Sequence, residues 1–340
     1  DPFAFAAGEQ EYVLRTPLGG AERLTLRWDA ELLADLAALR RPGRDPALPQ
    51  RVGGLLRGFL TSAYFAVCEA ELLAAVARDE PVLVTLRLAA AELFALPWEL
   101  LSLSGSGLFL GALPGVLLRY AWPETRSQPW PLDEAGLGRE GGRLLMAWSA
   151  AGGAVPAAEH QAALVAATQQ AGLPFDPTQD VLPHVSLTRL RQALDRLATT
   201  GEALVLHILC HGVRQGGSFG LGWDADDDSG LQTVDAAALR QVLAPHAAQL
   251  RLVVLSACDS GNSGALGNQL GSQLGSVSQA LHLAGIASVL ASRYPLSAAG
   301  SVRLSQVLYT TLLGQPCSLE AAFRSARSAL LSDAGSLDWA

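Results

Sequence analysis

Along the chain, the first regular pattern is alternation. Residues 11–28 alternate apolar and polar positions around Gly19-Gly20, as the two arms of a β-hairpin do, and Asp29 is placed to cap a helix running to Arg40. The RPGRDP stretch at 41–46 is a turn. From about Gly53 to Val76 the apolar spacing is helical, and at Pro81–Leu88 (PVLVTLRL) it becomes that of a strand. Gly115–Tyr120 is a second short apolar strand. Residues 123–142, rich in Pro, Gly and charge, read as a linker, which predicts an N-terminal subdomain over 1–130 and a second domain over 140–340.

Beyond the linker, strands alternate with helices. Strands are predicted at Arg143–Ser149, Ala203–Cys210 (ALVLHILC), Leu252–Ala257 and Ala287–Ala291, with two short ones about the turn DADDDSG. Helices are predicted at 157–171, 187–199, 235–248, 274–284, 297–313 and 318–331. Strands that are apolar at nearly every position are buried on both faces, and their alternation with helices marks a mostly parallel sheet with crossover helices. No repeat with a period near 34 residues is present, so a helical solenoid is not expected.

Composition narrows the chemistry. Half of the 340 residues are apolar and 16% are charged, a globular balance, and the length suits two domains. All 24 basic residues are arginine. The absence of lysine removes Schiff-base chemistry and the phosphate-loop lysine, and with them a Walker-type nucleotide hydrolase. A net charge of −8 with scattered arginines offers no basic stripe for nucleic acid. Cys68, Cys210, Cys258 and Cys317 show no metal-ligand or disulfide spacing and read as reduced thiols, so neither metal nor cofactor is expected. No apolar run spans a membrane and no signal peptide is visible, which predicts a cytoplasmic protein. A start at Asp1 without Met and an ending at Trp339-Ala340 read as a segment of a longer chain.

Two of the predicted strands run into reactive residues. ALVLHILC leads to His211-Gly212, and LVVLSA leads to Cys258-Asp259-Ser260-Gly261. In an open parallel sheet, sites form beyond the carboxyl ends of the strands, so a His and a Cys delivered by two such ends become neighbours. A thiolate nucleophile needs an imidazole to take its proton and later to protonate the leaving amine. Gly212 lets the backbone approach a substrate carbonyl, and its N–H with that of Cys258 would make an oxyanion hole. The plain alternative is that Cys258 is a small buried apolar residue and His211 a satisfied loop histidine.

The motifs resolve that choice. HILCHG followed by VVLSACDSG resembles the CHAT family, a caspase-like group often fused to TPR repeats and a branch of the caspase, metacaspase and separase cysteine peptidases. LFALPWELL with GLFLGALPGVLLRY is similar to that family's N-terminal region, and RLLMAWSA with AAEHQAAL to its first protease strand and helix. LGWDADDDSGLQTVDAAALRQVL, AGIASVLASRYPLS and LEAAFRSARSAL are similar to its later elements, and SLDWA to the approach to a last strand that is absent here. The resemblance implies an α/β fold: a caspase-like α/β/α sandwich with a mostly parallel central sheet, preceded by a smaller, related N-terminal α/β subdomain without the dyad. It implies a cysteine endopeptidase in which His211 is the acid and base, Cys258 the nucleophile, and the Gly212 and Cys258 amides hold the oxyanion. A protein substrate, and an activating partner or fused regulatory domain, belong to that reading, as does regulated proteolysis in bacterial defence or cell death. The rival is a catalytically silent scaffold for interactions.

Specificity is less decided. Where metacaspases carry an aspartate two residues before the nucleophile, Ser256 stands here, which places basic specificity in question. Arg293, in the ASRYPLS loop, favours an acidic substrate side chain if it faces the same pocket. Asp259 favours a basic one, or is simply a turn residue bonding its own backbone. Asp224, Asp226 and Asp228 mimic a calcium loop, but Ser229 replaces the required Gly and strands flank it, so a solvated hairpin with Asp235 as a helix cap is expected. The Gly-rich run at 261–276 reads as a loop bordering the cleft. Cys210 is expected to pack into the core, His160, His184, His207, His246 and His282 to be structural, and Trp98 and Trp148 to be anchors.

Overall fold

The computed structural model describes residues 8–16, 19–41, 44–104, 107–121, 142–200, 202, 204–215, 218–227, 230–257, 277–292, 294–314, 317–332 and 336–339. These fall into two compact units, one built from 8–121 with 336–339 and the other from 142–332.

In the first unit, β1 (Gly8–Arg15) and β2 (Ala21–Trp28) pair antiparallel, with Gly19 in the left-handed region at the turn. Asp29 caps α1 (Ala30–Ala38) by accepting the Leu32 N–H at 2.9 Å. The helical period read from Gly53 to Val76 divides into α2 (Leu48–Phe59) and α3 (Ala63–Ala77). The break has a local cause. Ser62 takes an extended backbone and its hydroxyl accepts the Phe65 N–H at 3.0 Å, which starts a new helix rather than continuing the old one. β3 (Val82–Arg87) and β4 (Val116–Ala121) then pair in parallel. Trp28, Leu32, Leu56, Leu96 and Leu100 are fully buried, and a Cβ on Gly53 would lie 2.3 Å from the Leu100 carbonyl, so only glycine lets α2 approach that loop. Glu69 is the one buried residue of α3; the Arg57 guanidinium lies 2.8 Å from it and the Ser104 N–H donates to it at 2.7 Å. The ring of Trp339 stacks on Phe109 with centroids 6.0 Å apart.

The second unit begins with β5 (Arg143–Trp148), α4 (Ala157–Ala171), α5 (Pro177–Asp180), β6 (Val181–Leu182), α6 (Leu187–Ala198) and β7 (Leu204–Leu209). It continues through β8 (His211–Gln215), β9 (Ser218–Asp224), β10 (Leu231–Val234), α7 (Ala236–Leu243) and β11 (Leu250–Ser256). α8 (Val277–Leu283), β12 (Val289–Ala291), α9 (Ala298–Gly314) and α10 (Leu319–Leu331) complete it. Neither the four-residue α5 nor the two-residue β6 is long enough to leave a period in the sequence.

The main sheet has the order β12-β11-β7-β5-β6, all parallel, and β8, β9 and β10 form a separate antiparallel sheet. Every residue of β7 is buried, as its unbroken apolar run predicts. Leu206, Ile208, Val253 and Leu255 pack with α6, α7, α8 and the fully buried Trp223 of β9 into one core. The opposite face carries α4 and α9 packed on each other, with α10 against α9. Helices therefore cover both faces, and the unit is the caspase-like α/β/α sandwich expected from the sequence. Cys210 is buried in its core, as strand alternation requires.

Between β7 and the α4–α9 layer lies a polar chain with no exposed member on its imidazoles. His160 Nδ1 is 3.1 Å from His207 Nε2, His207 Nδ1 is 3.0 Å from the Tyr309 hydroxyl, and His160 Nε2 is 3.1 Å from Ser301 Oγ. Ser301 donates its hydroxyl to the Ala298 carbonyl, so it accepts from His160 Nε2–H. Neutral His160 then accepts at Nδ1, which faces both His207 Nε2 and the Ser305 hydroxyl, the latter at 3.2 Å. Burial pushes the imidazolium form out of reach, lowering His160 to about 4 and His207 well below the usual histidine value.

Candidate active site

The order of the main sheet reverses beside β5. From β5 the chain leaves through α4 on one face to reach β6, whereas from β7 it leaves through the β8–β10 sheet and α7 on the other face to reach β11. A crevice opens where neighbouring strands send their chains to opposite faces, beyond their carboxyl ends. Two segments meet there: residues 150–154 after β5, and His211 after β7.

His211 does not stand at the end of β7 but two residues beyond it. It opens β8, and its backbone pairs with Gly222 of β9. Its Nε2 lies 3.2 Å from the Ala154 carbonyl oxygen. A carbonyl only accepts, so Nε2 carries a proton and a neutral ring has its lone pair on Nδ1, which no described residue hydrogen-bonds. The ring rests on two glycines with positive φ, Gly152 at +118° and Gly153 at +140°. A Cβ on Gly153 would lie 3.2 Å from His211 Nε2, and one on Gly152 would touch the ring at 3.8 Å. A side chain at 153 would crowd the imidazole, one at 152 would only touch it, and the backbone conformation of both favours glycine.

Ser256 ends β11 in register with Leu209, the last residue of β7. Its carbonyl accepts the Cys210 N–H at 3.3 Å. Position 258 follows Ser256 by the same two residues that separate His211 from Leu209. Cys258 itself lies outside the described residues, as do Asp259, Arg293 and the Gly-rich run at 261–276. Ser256 is only 8% exposed, and among the described residues nothing hydrogen-bonds its hydroxyl. Gly212 lies in β8 opposite Leu221.

Other sequence-level candidates resolve into packing. Asp235 caps α7, accepting the Ala238 N–H at 2.7 Å. Asp224 accepts the Ser149 hydroxyl at 2.7 Å, and Asp226 accepts that of Thr188 at 2.7 Å, so their oxygens serve protein donors. Among the described residues no group of three His, Cys, Asp or Glu could hold a metal ion, and no helix is long and apolar enough to cross a membrane. Trp98 is buried, donating its indole N–H to the Leu93 carbonyl, and Trp148 lies against the His184 ring at 5.1 Å. Sequence reasoning did not single out Ser149, Gly152 or Gly153 beside His211, and it read Asp224 only as part of a solvated hairpin. A pair of glycines directly after an apolar strand, AWSAAGG, was the available signal.

Comparison with known proteins agrees with this architecture. No curated protein matches the chain. The family model of the CHAT domain matches residues 59–340, more than half of its length. The chain therefore belongs to the CHAT domain family, whose general kind is caspase-like.

Proposed function

We propose that the chain is a cysteine endopeptidase that cleaves a partner protein through His211 and Cys258. The observation that carries this reading is the His211 imidazole. Its Nε2–H is held by the Ala154 carbonyl, which leaves Nδ1 as the proton acceptor in the crevice between β5 and β7. The β7–β11 register adds to it, since 211 and 258 are equally advanced beyond paired residues on adjacent strands.

In this reading Nδ1 takes the Cys258 thiol proton and the thiolate attacks the scissile carbonyl. The tetrahedral oxyanion is held by the amides of Gly212 and Cys258. Collapse expels the amine, which receives the proton from the imidazolium, and leaves an acyl-thioester. Water, deprotonated by the same Nδ1, releases the acid and restores the thiol. Ser256 lines the substrate pocket, with Asp259 and Arg293 deciding its charge preference. An activating partner or fused domain governs the activity in a cytoplasmic, regulated proteolysis.

The test is mass spectrometry of the protein and its Cys258→Ala form after treatment with peptidyl chloromethyl ketones that differ in the residue before the warhead. An adduct that requires Cys258 is expected, and the preferred residue reads the pocket. Adducts of equal yield in both forms would refute the mechanism. No adduct with any warhead, in the chain alone or with its natural flanking domains, would favour the silent scaffold.

A further inference from the structure

We propose that Asp224 and Ser149 are positioning residues for His211, acting through the loop at 150–154; the proposal rests on the catalytic reading of His211 and Cys258. The argument starts from the Ala154 carbonyl, the only hydrogen-bond partner found for the His211 ring among the described residues. That carbonyl fixes which ring nitrogen is free, so anything that sets its position sets the orientation of the base.

Ala154 sits on a loop that begins with a tight turn, Gly153 N–H donating to the Ala150 carbonyl at 3.0 Å. The glycines at 152 and 153 give this turn its shape but no rigidity. Stiffness comes from Ser149, fully buried at its root. The Ser149 hydroxyl accepts the Ala151 N–H at 3.0 Å and donates to Asp224 Oδ2 at 2.7 Å. Its own N–H donates to the Leu209 carbonyl at 3.0 Å, which ties the loop to the strand that delivers His211.

Asp224 is itself anchored. Its N–H donates to the Val185 carbonyl at 3.1 Å, and the Val185 N–H donates to the Trp148 carbonyl at 2.9 Å. The second carboxylate oxygen faces His184 Nδ1 at 3.5 Å, and Leu231 lies across the ladder. Asp224 also stands two residues from Gly222, the partner of His211 in β9. One carboxylate thus joins the strand that pairs with His211 to the loop that holds its ring. Asp224 and Ser149 need not touch substrate for this; they act through the Ala154 carbonyl.

The test uses the rate of Cys258 alkylation by iodoacetamide as a function of pH, read peptide by peptide so that Cys68, Cys210 and Cys317 serve as internal references. In the unaltered chain, Cys258 is expected to react with a midpoint below the free-thiol value of about 8.5, and His211→Ala should return it there. If His211→Ala changes nothing, the catalytic reading itself fails. If it does act, Asp224→Ala should slow alkylation near neutral pH by about tenfold. Asp224→Asn, which keeps an oxygen for the Ser149 hydroxyl, should stay within about twofold of the unaltered chain. An unchanged Asp224→Ala overturns the proposal, and so does Asp224→Asn as slow as Asp224→Ala, which would mean that charge and not the hydrogen bond matters. Should Asp224→Ala fail to fold, Ser149→Ala removes the same bond from the other side. The 15N shifts of His211 in the Cys258→Ala protein give a readout that a merely structural role would not move. A ring protonated at Nε2 is expected, turning to a tautomer mixture in Asp224→Ala; an unchanged tautomer would also overturn the proposal.

Discussion

Acidification should weaken the second unit through the His160–His207–Tyr309 chain. In the folded protein His160 is held neutral down to about pH 4, whereas in the unfolded chain it takes a proton near 6.5. Between those values the unfolded state binds more protons, so stability is full above 6.5 and is lost as the pH falls toward 4. At pH 5 the loss from this one ring is about 2 kcal/mol, approaching about 3 kcal/mol at pH 4. His207 acts in the same direction, and a charge on either imidazole opposes one on the other. Glu159, whose charge favours protonated His160, offsets only part of the burial. With a urea dependence of about 2 kcal/mol per molar, the loss at pH 5 moves the unfolding midpoint down by about 1 M relative to pH 7.5. The assay is urea unfolding followed by circular dichroism at both pH values, for the unaltered chain and for His160→Asn. The variant is expected to be less stable at pH 7.5 and to lose about 2 kcal/mol less on acidification. Parallel losses in the two proteins would refute the argument that His160 is the titrating group.

Gly153→Ala places a side chain at φ +140° and 3.2 Å from His211 Nε2; it should cost about 1 to 3 kcal/mol in thermal unfolding. The same variant should slow Cys258 alkylation about tenfold, while Gly54→Ala, on the exposed side of α2 with open space around it, should leave alkylation unchanged and raise stability by about 0.5 to 1 kcal/mol. Arg57→Met leaves the buried Glu69 carboxylate with the Ser104 N–H but without its cation, and should destabilise the first unit by about 3 kcal/mol or more. Adding Glu69→Gln should recover most of that loss in a denaturation cycle, and an additive double variant would argue against a coupled pair.

The parts of the fold that could be read in the sequence are those governed by local pattern. α4 was visible over its full length, the buried strands β5, β7 and β11 stood out as apolar runs, and Asp29 and Asp235 announced themselves as caps. Ser62 was a cap too, yet it fell inside a continuous helical period and only the geometry shows the break. β8 (HGVRQ) has neither alternation nor an apolar run, so His211 read as the end of one strand rather than the start of another. At the site, sequence named His211 and Cys258 but not what orients them. The Ser149–Asp224 bond joins residues 75 positions apart, and His160 meets His207 across 47. Such pairs exist only once the sheet order is fixed, and neither serine nor aspartate carries a local mark of its distant partner.

The placement of Trp339 on Phe109 has a consequence for synthesis. The first unit takes in residues 8–121 and also 336–339, so the second unit lies between its two parts along the chain. Domains emerging from a ribosome ordinarily fold in order, at about 5 to 20 residues per second. Here Phe109 waits about 10 to 50 s for the ring that stacks on it. During that interval β5, β6, β7, β11 and β12 are all made, so these strands can pair while the first unit still lacks its last residues.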